Sequence, residues 1–400
     1  MLELDCGLDF NPSRDDEFFT ALPPRPAVFA LELRAEGAEP LLGRTADLRR
    51  RLERLLRPPD PSSRRLNLRE LAQRVRYRLT GSKFEQSFVA YQQAKRMFPR
   101  RYRDLLRLRP PAVLKVNLKN AYPRCYVTRR IRTDEATGRP VGGACYGPFA
   151  SRRAADAFAE KFLDFFKTRR CRIKIRRDPA FPGCIYSEMK MCLAPCFAGC
   201  TKEEYGAEVA RLTGSLDSRG GSLADDIEKE RERASEALDF ERAAALHKRL
   251  EKVSEVLRGL PELARRIEEL DAVILQRAAE PQAIAVFAVR AGRLAEPFFL
   301  RFAELASQPR SVEEILREQL AAFTGEVKAD LGEHLALLAR WYYSSPREGE
   351  IFFRSAVRGR NEQDWPYRRI LRGCSRLLAP QGSGDVPGTN PAQARSEEHP

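Results

Sequence analysis

Five cysteines crowd residues 171–200, at Cys171, Cys184, Cys192, Cys196 and Cys200, and no other stretch of the chain is so constrained by its composition. Thiols this close read first as ligands of a metal ion or an iron–sulfur cluster. A disulfide framework is the weaker reading, because the amino terminus carries no secretory signal. Such a segment is held by what its sulfurs bind more than by helix or strand pattern. It lies between a basic amino-terminal half and a pair of charged helices, so several units are expected.

The chain has 400 residues, a formal net charge of +15 and 43% hydrophobic content, which suits two or three domains rather than one enlarged core. So large an excess of Lys and Arg favours a polyanionic partner such as nucleic acid, since neutralising phosphates releases counterions. A merely solvated surface is the alternative. Residues 1–9 are acidic, without the basic-then-apolar order of a signal peptide. No apolar run approaches the ~18 residues that span a bilayer. A cytoplasmic protein is expected.

Pro23, Pro24 and Pro26 close a poorly patterned leader, residues 1–22. Alternation predicts a strand over 27–33, and a second short strand over 41–43 follows a turn at Gly37. Residues 47–56 then set Leu48, Leu52, Leu55 and Leu56 on one helical face, surrounded by Arg44, Arg49, Arg50, Arg51, Arg54 and Arg57. A strand near 75–79, a turn at Gly81 and a helix over 83–97 stopped by Pro99 complete a small α+β unit over 23–105. Between 94 and 109 basic side chains recur with Phe98 and Tyr102, a mixture suited to tracking a phosphate backbone. A core-packed Tyr102 behind a solvated basic face is the alternative. Arg49, Arg50, Lys95, Arg96, Arg100 and Arg101 are the expected nucleic-acid contacts.

The order of these residues resembles the GIY-YIG nuclease domain of the UvrC excinuclease family. Ala27-Val28-Phe29 falls at the first Gly-Val/Ile-Tyr, Leu41-Leu42-Gly43-Arg44 at Tyr-Ile/Val-Gly-Lys, and Asp47-Leu48-Arg49-Arg50-Arg51-Leu52 at Asn/Asp-Leu-Arg-Lys-Arg-Leu. Thr80-Gly81-Ser82 with Glu85, Lys95 and Pro99 matches the helix that carries the metal-binding glutamate. Lys119, Tyr122, Pro123 and Tyr146-Gly147-Pro148-Phe149 extend the resemblance. In that family a glutamate anchors one divalent metal, two tyrosines serve the nucleophile and an arginine steadies the phosphate charge. Here Ala90 stands at the glutamate position, and Phe29 and Leu41 at the tyrosine positions. None of the three supplies a hydroxyl or carboxylate, so Mg²⁺ is not expected. Of the catalytic set only Arg51, and Arg44 in place of a lysine, keep their chemical type; a solvated helix surface is their alternative role. Glu85 lies five residues before Ala90, about 140° around the helix, and points elsewhere.

Cys184-Ile185-Tyr186 and Lys190-Met191-Cys192-Leu193-Ala194-Pro195-Cys196 resemble the UvrC cysteine segment, with one spacing a residue shorter. The resemblance implies a [4Fe–4S] cluster held by Cys171, Cys184, Cys192 and Cys196. Tetrahedral zinc uses the same ligands, and Cys200 is a spare thiol. After Gly220-Gly221-Ser222, read as a flexible joint, Leu223, Ile227, Ala234 and Leu238 recur at helical spacing. Asp239 breaks the pattern, and a second helix places Phe240, Ala243, Ala244, His247 and Leu250 on one face. His247 reads as part of that apolar stripe. The stretch resembles the UVR motif, which implies docking on the helicase subunit UvrB through Leu238, Phe240, Glu241, Ala243, Ala244 and Leu246.

Strands over 283–290 and 294–302, joined at Ala291-Gly292, and helices near 312–323 and 333–343 are expected next. Val289 to Leu294 resembles the strand pair before the RNase H-like domain of full-length UvrC, whose Asp-rich motif is not expected here. From Gln381 onward the composition predicts a disordered tail. The fold expected is a multidomain α+β chain. It comprises a leader (1–22), a degenerate GIY-YIG-like α/β domain (23–105), a connecting α/β segment (106–170), a Cys-rich segment (171–215), a UVR helical hairpin (222–258), a short mixed α/β remnant (262–372) and a tail (373–400). Such a truncated UvrC-like protein is expected to bind DNA and dock on UvrB without strong cutting of its own. An active single-incision nuclease and a cluster-bearing adaptor that does not act on DNA are the alternatives.

Overall fold

The amino-terminal lobe runs β1 (Cys6–Asp9), α1 (Asp15–Ala21), β2 (Ala27–Leu33), β3 (Leu41–Thr45), α2 (Leu48–Leu56), β4 (Ala72–Leu79), α3 (Lys83–Met97) and the short α4 (Tyr102–Leu105). The computed structural model describes residues 2–58, 66–305, 308–322, 330–356 and 363–379; the disordered tail expected from Gln381 lies outside them. Strands pair antiparallel in the order β1-β4-β2-β3. Alternation along β2 sends Ala27, Phe29 and Leu31 under the leucines of α2, and Val28 and Ala30 under α3. Asp47 caps α2 by accepting the Arg50 amide at 2.9 Å, and Ser82 caps α3 by accepting the Glu85 amide at 3.1 Å. The expected elements over 27–97 therefore form close to their expected bounds.

The leader is not the unpatterned segment expected. Its β1 completes the open edge of β4, and α1 lays Phe18 and Phe19 against Phe10 beneath the sheet. A four-residue strand is too short to register as alternation; it forms because β4 offers unpaired backbone groups.

The middle of the chain builds one core from a sheet and four longer helices. The elements are β5 (Ala112–Val116), β6 (Cys125–Thr128), β7 (Ala144–Phe149), α5 (Arg152–Leu163), the short α6 (Ile185–Glu188), α7 (Lys202–Asp217), α8 (Gly221–Glu236), α9 (Phe240–Arg258) and β8 (Arg265–Arg266). The sheet order is β6-β5-β7-β8. Phe149, Phe162, Tyr205, Leu212, Ile227 and Val253 share its interior, so the α8–α9 hairpin is fused to the sheet rather than tethered. Gly220 is accordingly a packed corner and not a flexible joint. Its φ is +89°, and a Cβ there would sit 2.2 Å from the Leu257 side chain.

The carboxy-terminal lobe contains β9 (Ala272–Arg277), β10 (Ala283–Arg290), β11 (Arg293–Leu294), β12 (Phe298–Arg301), α10 (Phe302–Leu305), α11 (Val312–Ala322), α12 (Leu331–Tyr342), β13 (Glu350–Phe353) and α13 (Tyr367–Leu378). Both expected strands and both expected helices appear, with β11 and β12 pairing successively on β10. Helix α13 carries Cys374 into the core and runs past the tail boundary expected at 373. This lobe covers α3. Phe84 meets Phe287 at 4.9 Å and Trp341 at 5.1 Å between ring centroids, and the shared core draws on all three lobes.

One carboxylate ties the lobes together. Glu333, at the start of α12, is buried and accepts hydrogen bonds from the Tyr91 and Tyr102 hydroxyls and from Arg103, with Lys95 at 3.4 Å. Burial alone would raise its pKa, but these bonds and the Lys95 charge hold it below the ordinary value. Tyr102 is thus a core residue, not a base-stacking ring. Replacing Glu333 by Ala strands two buried hydroxyls and removes the partner of two cations. Denaturant unfolding is expected to show a loss of about 3–5 kcal/mol.

Candidate functional site

Phe29 is fully buried and sits directly opposite Gly43 on β3. A Cβ on Gly43 would lie 2.5 Å from the Phe29 ring, so the glycine is the seat of that ring. Leu41 packs half-buried into the same α2-side core. Ala90 lies in the other core, 1% exposed, on α3. The three positions expected to have lost catalytic groups are therefore apolar and face packed interior.

The two retained arginines separate. Arg44 reaches α3, donating to the Ser87 hydroxyl at 2.9 Å. Although it is exposed overall, partial desolvation of its guanidinium and the neighbouring Arg340 charge lower its pKa. Arg51 stands on α2, across the sheet. Its side chain makes no hydrogen bond or ion pair among the described residues, and nor do the side chains of Arg50 and Arg54.

Most of the other expected phosphate contacts are engaged internally. Arg49 donates to the Leu22 and Thr20 carbonyls, joining α2 to α1. Lys95 faces Glu333, Arg96 pairs with Glu3 at 3.8 Å and bonds Gln93, and Arg101 pairs with Glu39. Arg100 is exposed without such a partner among the described residues.

Glu85 points away from the Ala90 position. Its carboxylate accepts the Gly81 amide at 2.8 Å and lines a cleft of about 260 Å³ with Asp5, Arg25, Arg78, Glu280 and Arg301. Burial pushes its pKa up to about 7, against the pull of the Gly81 amide and Arg78.

The cysteine loop is irregular, with Lys190, Ala194 and Ala198 in the left-handed region. Arg169, buried beneath it, donates to the Tyr122, Cys171 and Ile173 carbonyls. Burial pushes the Cys192 thiol up to about 11; the Ala194 amide opposes this, while Cys171, Cys196 and Cys184 add to it. The fold thus gathers the four expected thiols as electrostatic neighbours. Among the described residues, no three His, Cys, Asp or Glu side chains stand grouped as metal ligands. The donor chemistry suits a soft metal or cluster, although the thiols are not drawn to ligand spacing. Cys200 is influenced first by Glu204 and Arg177 after burial, and only then by Cys196.

At the far end of the hairpin, Leu238 is 72% exposed and Phe240 66% exposed. Leu238 has a φ of +56°, which reverses the chain before Asp239 caps α9. Glu241 and Ala244 are exposed, Ala243 is half-buried and Leu246 is buried. His247 is not on the buried stripe: it is exposed, 3.6 Å from Glu251. The stripe runs instead through Leu246, Leu250, Val253 and Val256, because α9 turns its larger aliphatic side chains inward. Glu333 escaped the sequence reading because its partners lie some 230 residues away. The cations following β6 escaped it too, although Arg129-Arg130-Ile131-Arg132 is a readable signal.

Residues 112–215 match the family model of the UvrC/Cho excinuclease middle domain, and residues 221–256 match the UvrB/uvrC motif. Relatives named UvrABC system protein C are 27% identical over 247 residues in Ruminiclostridium cellulolyticum (61% of this chain, 36% of that protein) and 25% identical over 351 residues in Moorella thermoacetica (86% and 55%). The protein of that name from Nitratidesulfovibrio vulgaris is 32% identical over 199 residues (48% and 27%). The chain thus spans between about a third and a half of the length of the first two relatives. No solved structure matches it significantly. The resemblance to UvrC holds: the chain carries a UvrC middle domain and a UVR motif. Among the described residues no helix is long and apolar enough to cross a membrane.

Glu85 generates a pH dependence. With an ordinary value of 4.5 and a folded value of about 7, the folded chain binds more protons in that window, so stability falls as pH rises through it. The penalty above the window is about 3 kcal/mol. Glu85→Gln keeps an acceptor for the Gly81 amide, and is expected to melt higher than the parent at about pH 8 but not below about pH 4.5. Thermal melts across that range check this.

Proposed function

We propose that this chain is a UvrC-type excision-repair protein that grips DNA and docks on a UvrB-like helicase subunit, but does not itself cut the strand. The observation that carries the reading is Ala90, buried in the three-lobe core where this kind of nuclease needs a metal-anchoring carboxylate. A methyl group holds no divalent ion. Phe29 and Leu41, packed against the α2 side, have no acid or base to offer a nucleophile. Glu85 does not replace the lost carboxylate, being tied to the Gly81 amide in a separate cleft. The guanidinium groups of Arg50, Arg51 and Arg54, without partners among the described residues, suit phosphate contact, which positions DNA without cleaving it. Docking is supported by Leu238 and Phe240, two apolar side chains left bare at the turn of a hairpin whose other Leu, Ile and Val side chains are buried or half-buried.

In a reaction holding Mg²⁺, damaged duplex and the UvrB-like subunit, the full chain is expected to join a complex on the DNA while both strands stay intact. Phe240→Ala, exposed and so neutral to folding, should lose the complex. Metal-dependent nicking that disappears in Arg51→Ala would establish the chain as an active single-incision nuclease and overturn the reading.

The cysteine loop is proposed to hold a [4Fe–4S] cluster through Cys171, Cys184, Cys192 and Cys196, with zinc on the same thiolates as the alternative. Bound there, the group would cross-link a loop that has little regular structure. Protein purified without oxygen should contain stoichiometric iron and sulfide, or zinc, and Cys192→Ser should lose it. Absence of all three in the parent protein refutes the assignment.

A further inference from the structure

We propose that the hairpin following β6 is a second DNA surface, one that holds the phosphate backbone of duplex DNA independently of the nuclease-like lobe. The inference rests on the DNA-binding reading above and locates part of that binding. Residues 117–141 carry six cations, Lys119, Arg124, Arg129, Arg130, Arg132 and Arg139, against two carboxylates, Asp134 and Glu135. Asp134 is occupied within its own turn, accepting the Ala136 and Thr137 amides and the Thr137 hydroxyl at 2.9–3.1 Å. The side chains of Arg129, Arg130, Arg132 and Arg139 are exposed and make no hydrogen bond or ion pair among the described residues. This contrasts with the amino-terminal lobe, where Lys95, Arg96, Arg101 and Arg103 have carboxylate partners. A fold that pairs the cations of α3 and α4 with carboxylates and leaves this cluster without partners among the described residues keeps a local repulsion that a polyanion relieves.

Topology assembles these groups on one projection. β6 is an edge strand, Arg129 to Arg132 run on from its end, and the bridge between Thr133 and Pro140 returns Arg139 beside them. The hairpin is also anchored. Lys115 donates to the Val141 carbonyl at its base, and Arg293 of the carboxy-terminal lobe donates to the Gly138 carbonyl at its tip. Its arginines therefore meet a ligand with little of the backbone left to order.

The partner is a duplex read through its phosphates rather than bases read by stacking. Tyr126 is the one aromatic residue between 124 and 140, and the Arg124 guanidinium covers it at 4.3 Å from the ring centroid. That cation occupies one face of the ring, and no second aromatic side chain stands between 124 and 140 to build a stacking platform.

The test measures binding of the full chain to a labelled random-sequence duplex by fluorescence anisotropy between ~50 and ~200 mM salt. In the triple variant Arg129→Ala, Arg130→Ala, Arg132→Ala the log–log salt slope should shrink by about three, with at least a tenfold loss of affinity at the low-salt end. The loss should be the same on a second duplex of unrelated sequence. The corresponding triple Arg→Lys variant should keep the parent slope, and all three proteins should melt together, which separates lost charge from lost fold. A parent slope in the alanine variant overturns this surface and leaves the DNA-binding reading standing. A parent protein that binds no duplex overturns both.

Discussion

Glu333 is the contact on which the relative placement of the lobes depends. A carboxylate taken out of water is costly unless every lone pair is used, and here two tyrosine hydroxyls and Arg103 bond it, with Lys95 alongside. Those partners come from α3 and α4, and Glu333 itself comes from α12, so the bond network closes only when the two ends of the chain meet. The aromatic cluster of Phe84, Phe88, Phe287 and Trp341 supplies apolar burial around it. The polar network adds direction, because its bonds require Glu333 to lie within reach of Tyr91, Tyr102 and Arg103 together.

That seating decides what α3 can present: the helix is roofed by the carboxy-terminal lobe and carries Ala90 in the interior. An apolar residue at position 90 and the burial of that position are mutually consistent. An ionised glutamate at Ala90 would be as costly as Glu333 without its partners. Guanidinium groups without a hydrogen-bond or ion-pair partner among the described residues lie elsewhere, on α2 and on the hairpin beyond β6.

Much of the amino-terminal lobe was legible in the sequence because its signals are local. The β2 alternation, the α2 leucines, the turn at Gly81 and the stop at Pro99 each act over fewer than about ten residues. The leader was not legible, because β1 exists only against the β4 edge. The face of α9 was misread by one step: residues 240–247 contain both apolar and small side chains, and the choice among them belongs to the core they pack on. Gly220 read as a hinge for the same reason, since a glycine's freedom and a glycine's fit to Leu257 look alike in one dimension.

The candidate sites divide along the same line. Residue chemistry by itself determined that positions 29, 41 and 90 carry no acid, base or metal ligand, that five thiols share one short segment, and that the hairpin turn bears Leu238 and Phe240. Which cations are free was decided only by the tertiary structure. Lys95 and Arg101 have the same formal charge as Arg130 and Arg132, yet the first two lie beside Glu333 and Glu39 and the second two face solvent. Charge type is a property of a side chain, whereas its availability to a ligand depends on which distant carboxylates the fold brings within a few ångströms of it.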